Sequence, residues 1–152
     1  MTMKVNPYNK YKISIIDSKF RCIEANGEPA NQFLVPDVSD SLSKLYVVKN
    51  GCDIYYVGIT ITDIRKRLRG GFLAKGEHGY YGYKWKGQET AEMLIWCFPD
   101  FVKEQVESIE GELVYLIRNR TGNWPKYQME IHFHPDATDE EKRIADSMYN
   151  AL

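Results

Sequence analysis

Apolar and mixed positions alternate through "KLYVVK" at 44–49, and again through "DIYYVGIT" at 53–60. Asn50-Gly51 between them is a hairpin turn pair. Successive strand side chains point to opposite faces. Leu45 and Val47 are therefore expected to share a core face with Tyr55, Val57 and Ile59. Tyr46 and Tyr56 fall on the other, more polar face with Lys44, Gly58 and Thr60, and Tyr55 is assigned to packing. Thr62 is a candidate cap for a short helix, "DIRKRLRG", stopped by Gly70-Gly71. Ile64 and Leu68 would pack inward, with Arg67 flanking them. Residues 72–87 read as a long loop, and "EMLIWCF" at 92–98 as a buried strand.

Pro99-Asp100 opens a long helix whose stripe is Val102, Val106, Ile109, Leu113, Leu116 and Ile117. Glu112 lies about 80° from the stripe centre, at the border of core and solvent, with Glu110 at the opposite border. Thr121-Gly122 ends this helix. "EIHFH" at 130–134 suggests a further strand, and Thr138 with Glu141 forms a capping box for a last helix. Upstream, "KYKISIID" and "KFRCIEA" alternate as two strands, and "VPDVSDS" at 35–41 reads as a linker. The sum is an α+β fold with a small, mainly antiparallel sheet of three central strands flanked by helices. Residues 1–42 are expected to be an N-terminal extension, 43–134 the main domain, and 135–152 a C-terminal helix packed on it.

Composition adds limits. The 152 residues are 43% hydrophobic and 27% charged, enough for one core and a solvated surface. No run approaches the roughly 18 apolar residues of a membrane helix, and the first residues lack a signal peptide's apolar block. Cys22, Cys52 and Cys97 are odd in number and show no C-x-x-C spacing. Reduced thiols and a cytoplasmic location are expected. The net charge of −1 hides an asymmetry: seven basic residues lie between Arg65 and Lys86 against Glu77 alone. Such a segment fits either an anionic partner or a solvated loop. Tyr80, Tyr81, Tyr83 and Trp85 interleave with Lys84 and Lys86, which suits either DNA contacts or anchoring of the loop.

Tyr46, Tyr56, Arg67, Glu112 and the "WPKYQ" segment at 124–128 follow one another on the expected strand, strand, helix, helix and loop. This order resembles the GIY-YIG nuclease superfamily, the catalytic domain of homing endonucleases, the excision-repair nuclease subunit and some restriction enzymes. The resemblance covers roughly residues 43–130. Lys44-Leu45-Tyr46 stands where the family has Gly-Ile-Tyr, and Tyr56-Val57-Gly58 where it has Tyr-Ile-Gly. Arg67 before Leu68 matches the arginine helix, with Arg65 as the fallback. Glu112 matches the metal-binding glutamate, and Gln128 stands where an asparagine is usual.

The resemblance implies a DNA endonuclease that hydrolyses phosphodiesters by water attack with one divalent ion, Mg²⁺ or Mn²⁺. A hard cation that keeps most of its waters needs only one or two carboxylates, which Glu112 supplies. Arg67 would bear on the phosphate oxygens as a planar donor fork. Tyr46 would be the general base, aided by Lys44 two residues away on the same strand face. Tyr56 would orient water or phosphate, Gly58 would allow close backbone approach, and Gln128 would steady the site. Nucleic-acid contacts would come from Lys44, Gly58, Arg65, Arg69, Lys75, His78, Lys84 and Lys86. A double-strand cut would require a homodimer or two successive encounters. The competing readings are a non-catalytic nucleic-acid-binding module on this fold, and a protein-interaction domain whose tyrosines are core.

Overall fold

The N-terminal alternation forms β1 (Asn9–Ile16) and β2 (Lys19–Ala25), followed by the two-residue β3 (Glu28–Pro29). The central hairpin is β4 (Ser43–Asn50) and β5 (Asp53–Thr60), and α1 (Ile64–Leu73) follows it. A 3-10 turn at Lys84–Gly87 leads into β6 (Thr90–Phe98), then α2 (Lys103–Thr121) and α3 (Asp139–Ala151). The structure is a computed structural model describing residues 5, 7–77, 82–128, 131 and 134–152. Most of the strand expected at 130–134 lies outside the described residues.

Among the described residues the sheet has six strands in the order β3-β2-β1-β6-β4-β5, and every pairing is antiparallel. It is larger than the three central strands expected, because β1 pairs with β6 and joins the N-terminal strands to the same sheet. Layers of side chains cover both of its faces. On one, α1 contributes Ile64, Leu68 and Phe72 to a cluster with Tyr11, Ile13, Tyr46, Val48 and Met93. On the other, α2 and α3 pack Val106, Ile109, Leu113, Ala145 and Met148 against Leu45, Val47, Val57 and Leu94. Burial from both sides explains the continuous apolar run in β6, where a half-exposed strand would alternate.

Local chemistry sets the helix ends. The cap of α1 is Asp63 rather than Thr62, its carboxylate accepting the Arg65 N–H at 2.8 Å. The helix runs through Gly70-Gly71 to Leu73 because Phe72 is buried at its end. Gly122, at φ 82°, terminates α2. Thr138 and Glu141 form the reciprocal capping box that starts α3. No helix among the described residues is long and apolar enough to cross a membrane.

The 35–41 stretch expected to be a linker is part of the core. Asp37 is 1% exposed. Its carboxylate accepts from Tyr11 Oη, from Asn9 Nδ2 at 3.0 Å and from Cys97 Sγ at 3.2 Å. Its carbonyl accepts the Ile64 N–H, tying the segment to the start of α1.

Candidate functional site

Tyr46 and Gly58 are cross-strand partners on β4 and β5. The Tyr46 ring lies over the glycine: a Cβ at 58 would stand 2.6 Å from Tyr46 Oη and 2.7 Å from Tyr56 Cε2. The absent side chain is therefore what lets the two tyrosines approach, with ring centroids 6.0 Å apart. Gly58→Ala is expected to lower stability by about 1–3 kcal/mol, the usual cost of overpacking. Urea unfolding followed by circular dichroism checks this, and an unchanged midpoint would show that the rings shift without cost.

A third tyrosine completes the group. Tyr83 packs on α1 at Gly71, where a Cβ would come within 2.0 Å of its ring, and its N–H donates to the Gly71 carbonyl at 3.1 Å. The Tyr83 and Tyr46 hydroxyls are hydrogen-bonded at 2.8 Å. Tyr56 meets the Tyr83 ring edge-on at 5.4 Å, and the Arg67 guanidinium lies 5.0 Å from the Tyr83 centroid. Tyr46, Tyr56 and Arg67 thus gather around Tyr83. Tyr46 is 0% exposed and Tyr83 3%, while Tyr56 and Arg67 are half-buried and reach the surface. By sequence Tyr83 is one of the loop aromatics. The signal available was Tyr83-Lys84-Trp85, in which two buried rings flank an exposed lysine.

Burial changes the chemistry expected of Tyr46. It sits in a packed cluster, not on a polar face. Burial pushes its hydroxyl well above the ordinary phenol value; the neighbouring Tyr83 and Tyr56 act in the same direction, and Arg67 opposes them. At neutral pH Tyr46 is an uncharged phenol, so it does not serve as a pre-ionised base. Lys44 gives no help, and its burial keeps it from contacting nucleic acid as well. It is 0% exposed, and its ammonium donates to the carbonyls of Ser39, Leu42 and Thr62 at 2.5, 2.9 and 2.9 Å. Burial lowers its pKa, with Cys97 and Asp37 opposing.

Tyr55 also departs from simple alternation. A register shift between Val48 and Lys49 pairs Val48 with Tyr56 and Lys49 with Ile54. This bulge leaves Tyr55 in the α1-side cluster rather than with Val57. It is buried there and packs edge-on against Tyr127 at 5.2 Å.

The other expected residues divide. Arg65 is held by Asp63 through Nε and Nη2, at 3.0 and 2.6 Å to Oδ2, and this pairing lowers the Asp63 pKa. Lys86 Nζ donates to the Ala74 carbonyl, tying the 82–88 segment to the end of α1. Arg69, Lys75 and Lys84 are exposed, and His78 lies outside the described residues. Gln128 bonds both backbone groups of Val57, accepting from N at 2.9 Å and donating to O at 3.0 Å. With Lys126 and Tyr127 it closes the outer edge of β5, so it holds the strand that carries Tyr56 and Gly58.

Glu112 is half-buried on α2, which covers the sheet face opposite Tyr46 while packing on the same β4 and β5. Its carboxylate makes no hydrogen bond or ion pair with another described residue. Among the described residues, no group of three or more His, Cys, Asp or Glu side chains is placed to hold a metal. The donor set is thus one half-exposed carboxylate. That fits a hydrated Mg²⁺ or Mn²⁺ and does not fit an all-protein cage. Comparisons with protein-family models, curated proteins and solved structures return no match.

Proposed function

We propose that the chain is a metal-dependent DNA endonuclease that hydrolyses phosphodiester bonds. The observation that carries this reading is the convergence of Tyr46, Tyr56 and Arg67, distant in sequence, on the Tyr83 ring beneath a half-open surface. Arg67 presents a planar fork to non-bridging phosphate oxygens and to the charge that grows on them. Tyr56, also at the surface, orients the water or the phosphate. Tyr46 acts as a neutral hydroxyl whose bond to Tyr83 fixes both phenols beneath Tyr56 and Arg67. Gln128 is a positioning residue, acting through the Val57 backbone. Glu112 lies on the helix covering the opposite sheet face and is not gathered with these residues; the resemblance alone assigns it the divalent ion, which would supply Lewis acidity when bound.

The burial of the Tyr46 hydroxyl favours a second reading, a non-catalytic nucleic-acid-binding module. Supercoiled plasmid incubated with Mg²⁺, with Mn²⁺ or with chelator separates the two. The nuclease reading expects metal-dependent nicking that falls by about 100-fold or more in Glu112→Gln, on the scale of losing one charge-stabilising group. Because Glu112 is half-exposed, its circular dichroism spectrum and melting should stay near wild type. Plasmid left intact in both metals, together with binding that weakens steeply with salt, would establish the binding module. Undiminished nicking by Glu112→Gln would remove Glu112 from the site.

A further inference from the structure

A groove of about 610 Å³ runs between α1 and the N-terminal strands, on the other side of α1 from Arg67. Side chains two residues apart on a helix lie about 200° apart, so Arg65 and Arg69 face away from Arg67 and line this groove. Lys19 and Arg21 line it from β2, giving four cations and no carboxylate among the lining residues. Asp63 holds Arg65, whereas Lys19, Arg21 and Arg69 form no ion pair with a described residue. The floor is aromatic. Half-buried Phe20 stacks on Phe72 at 5.4 Å and meets Phe33 edge-on at 6.1 Å. Exposed amides, Asn31 and Gln32, stand on the rim.

Each feature alone admits several ligands, and the combination admits fewer. Cations by themselves fit any phosphate. An aromatic floor below a cationic rim fits a phosphate that carries a flat apolar ring, and the amides match the hydrogen-bonding edges of a base. The volume suits a ligand of nucleotide size. A base paired in a duplex is stacked between its neighbours and cannot reach Phe20, whereas an unpaired one can.

We propose that this groove binds an unpaired nucleic-acid strand, with a base against Phe20 and backbone phosphates on Arg21 and Arg69. A helix is about 10–12 Å across, a width that a strand of a few nucleotides spans. A strand seated in the groove and passing over α1 therefore arrives at Arg67 and Tyr56. That last link rests on the nuclease reading; the groove itself does not.

Fluorescence anisotropy of a labelled oligothymidylate, in chelator, tests the proposal beside a blunt duplex of the same length. Arg21→Ala/Arg69→Ala, both exposed positions, is expected to weaken single-strand binding about tenfold or more at roughly 50 mM salt. It should also flatten the log–log salt slope by about 1.4, or 0.7 for each phosphate contact. Phe20→Leu is expected to weaken binding about tenfold with the slope unchanged, the signature of lost stacking. The proposal is overturned by a wild type that fails to bind at low salt, by variants within about twofold of wild type, or by tighter binding of the duplex. Cutting plays no part in chelator. A protein that binds through Arg21 and Arg69 yet never nicks plasmid supports the groove and sinks the nuclease reading. A nuclease whose affinity ignores those arginines does the reverse.

Discussion

On the nuclease reading, Arg67→Lys is expected to lose plasmid cleavage by about 100-fold or more while the fold survives, and Arg67→Ala by about 1,000-fold. Lysine keeps the positive charge, so a role limited to attracting DNA would survive the change. What it loses is the planar fork, which meets two phosphate oxygens at once and follows the charge that develops as the bond breaks. Packing predicts a far smaller effect. The guanidinium lies over the Tyr83 ring at 5.0 Å, a contact worth about 0.5–1 kcal/mol. For a chain of this size that is a Tm shift of about 1–4 °C. Single-turnover cleavage, melting and anisotropy in chelator together decide the matter. A large loss of cleavage with binding held within about threefold assigns Arg67 to the transition state. If cleavage and binding fall by one factor, Arg67 is a phosphate anchor. Cleavage by Arg67→Lys at the wild-type rate would end the catalytic assignment.

How far such a site is legible beforehand depends on which signals are local. The β4–β5 hairpin is, because Asn50-Gly51 and period-2 alternation both act over a few residues. The capping box of α3 and the glycine that ends α2 are legible for the same reason. Tyr55 is not, because a bulge inserts one residue into the count and turns its side chain over without any mark in the composition. Lys44 is not, because lysine between apolar residues ordinarily reads as a solvent-facing position. Only the folded chain brings the three carbonyls of residues 39, 42 and 62 to its ammonium. The β1–β6 pairing joins segments some eighty positions apart, beyond the reach of any periodicity window. Tyr83 was visible as an aromatic near glycines, but its partner hydroxyl on Tyr46 lies 37 residues away. The ordered Tyr, Tyr and Arg positions were legible; their depth was not, and depth is what makes Tyr46 a neutral phenol rather than a base.

Asp37 carries a large expected stability effect, although it sits in a stretch whose composition reads as a linker. Asp37→Ala is expected to cost about 3–5 kcal/mol, the usual result of breaking a buried charged network by removing one partner. The loss has identifiable parts. Tyr11 Oη, Asn9 Nδ2 and Cys97 Sγ each lose their acceptor, and the buried Lys44 ammonium loses a nearby negative charge. Burial and the Asp37 hydrogen bond push the Cys97 thiol up to about 12, so that donor stays protonated and is left with no acceptor there. Against a typical total of about 5–15 kcal/mol, this is about a fifth or more of what a small domain has. Asp37→Asn keeps the shape but turns one acceptor into a donor facing other donors, so an intermediate loss of about 1–3 kcal/mol is expected. Urea titration of the three proteins by circular dichroism gives the ordering wild type, Asn, Ala. If Asp37→Ala unfolds within about 1 kcal/mol of wild type, water replaces the carboxylate readily, and the 35–41 segment is held by its backbone bond to Ile64 instead. If the ordering holds, the network that locks β1, β6 and the start of α1 together also fixes the helix that carries Arg67, and on the nuclease reading destabilising it should lower cleavage without any contact to DNA.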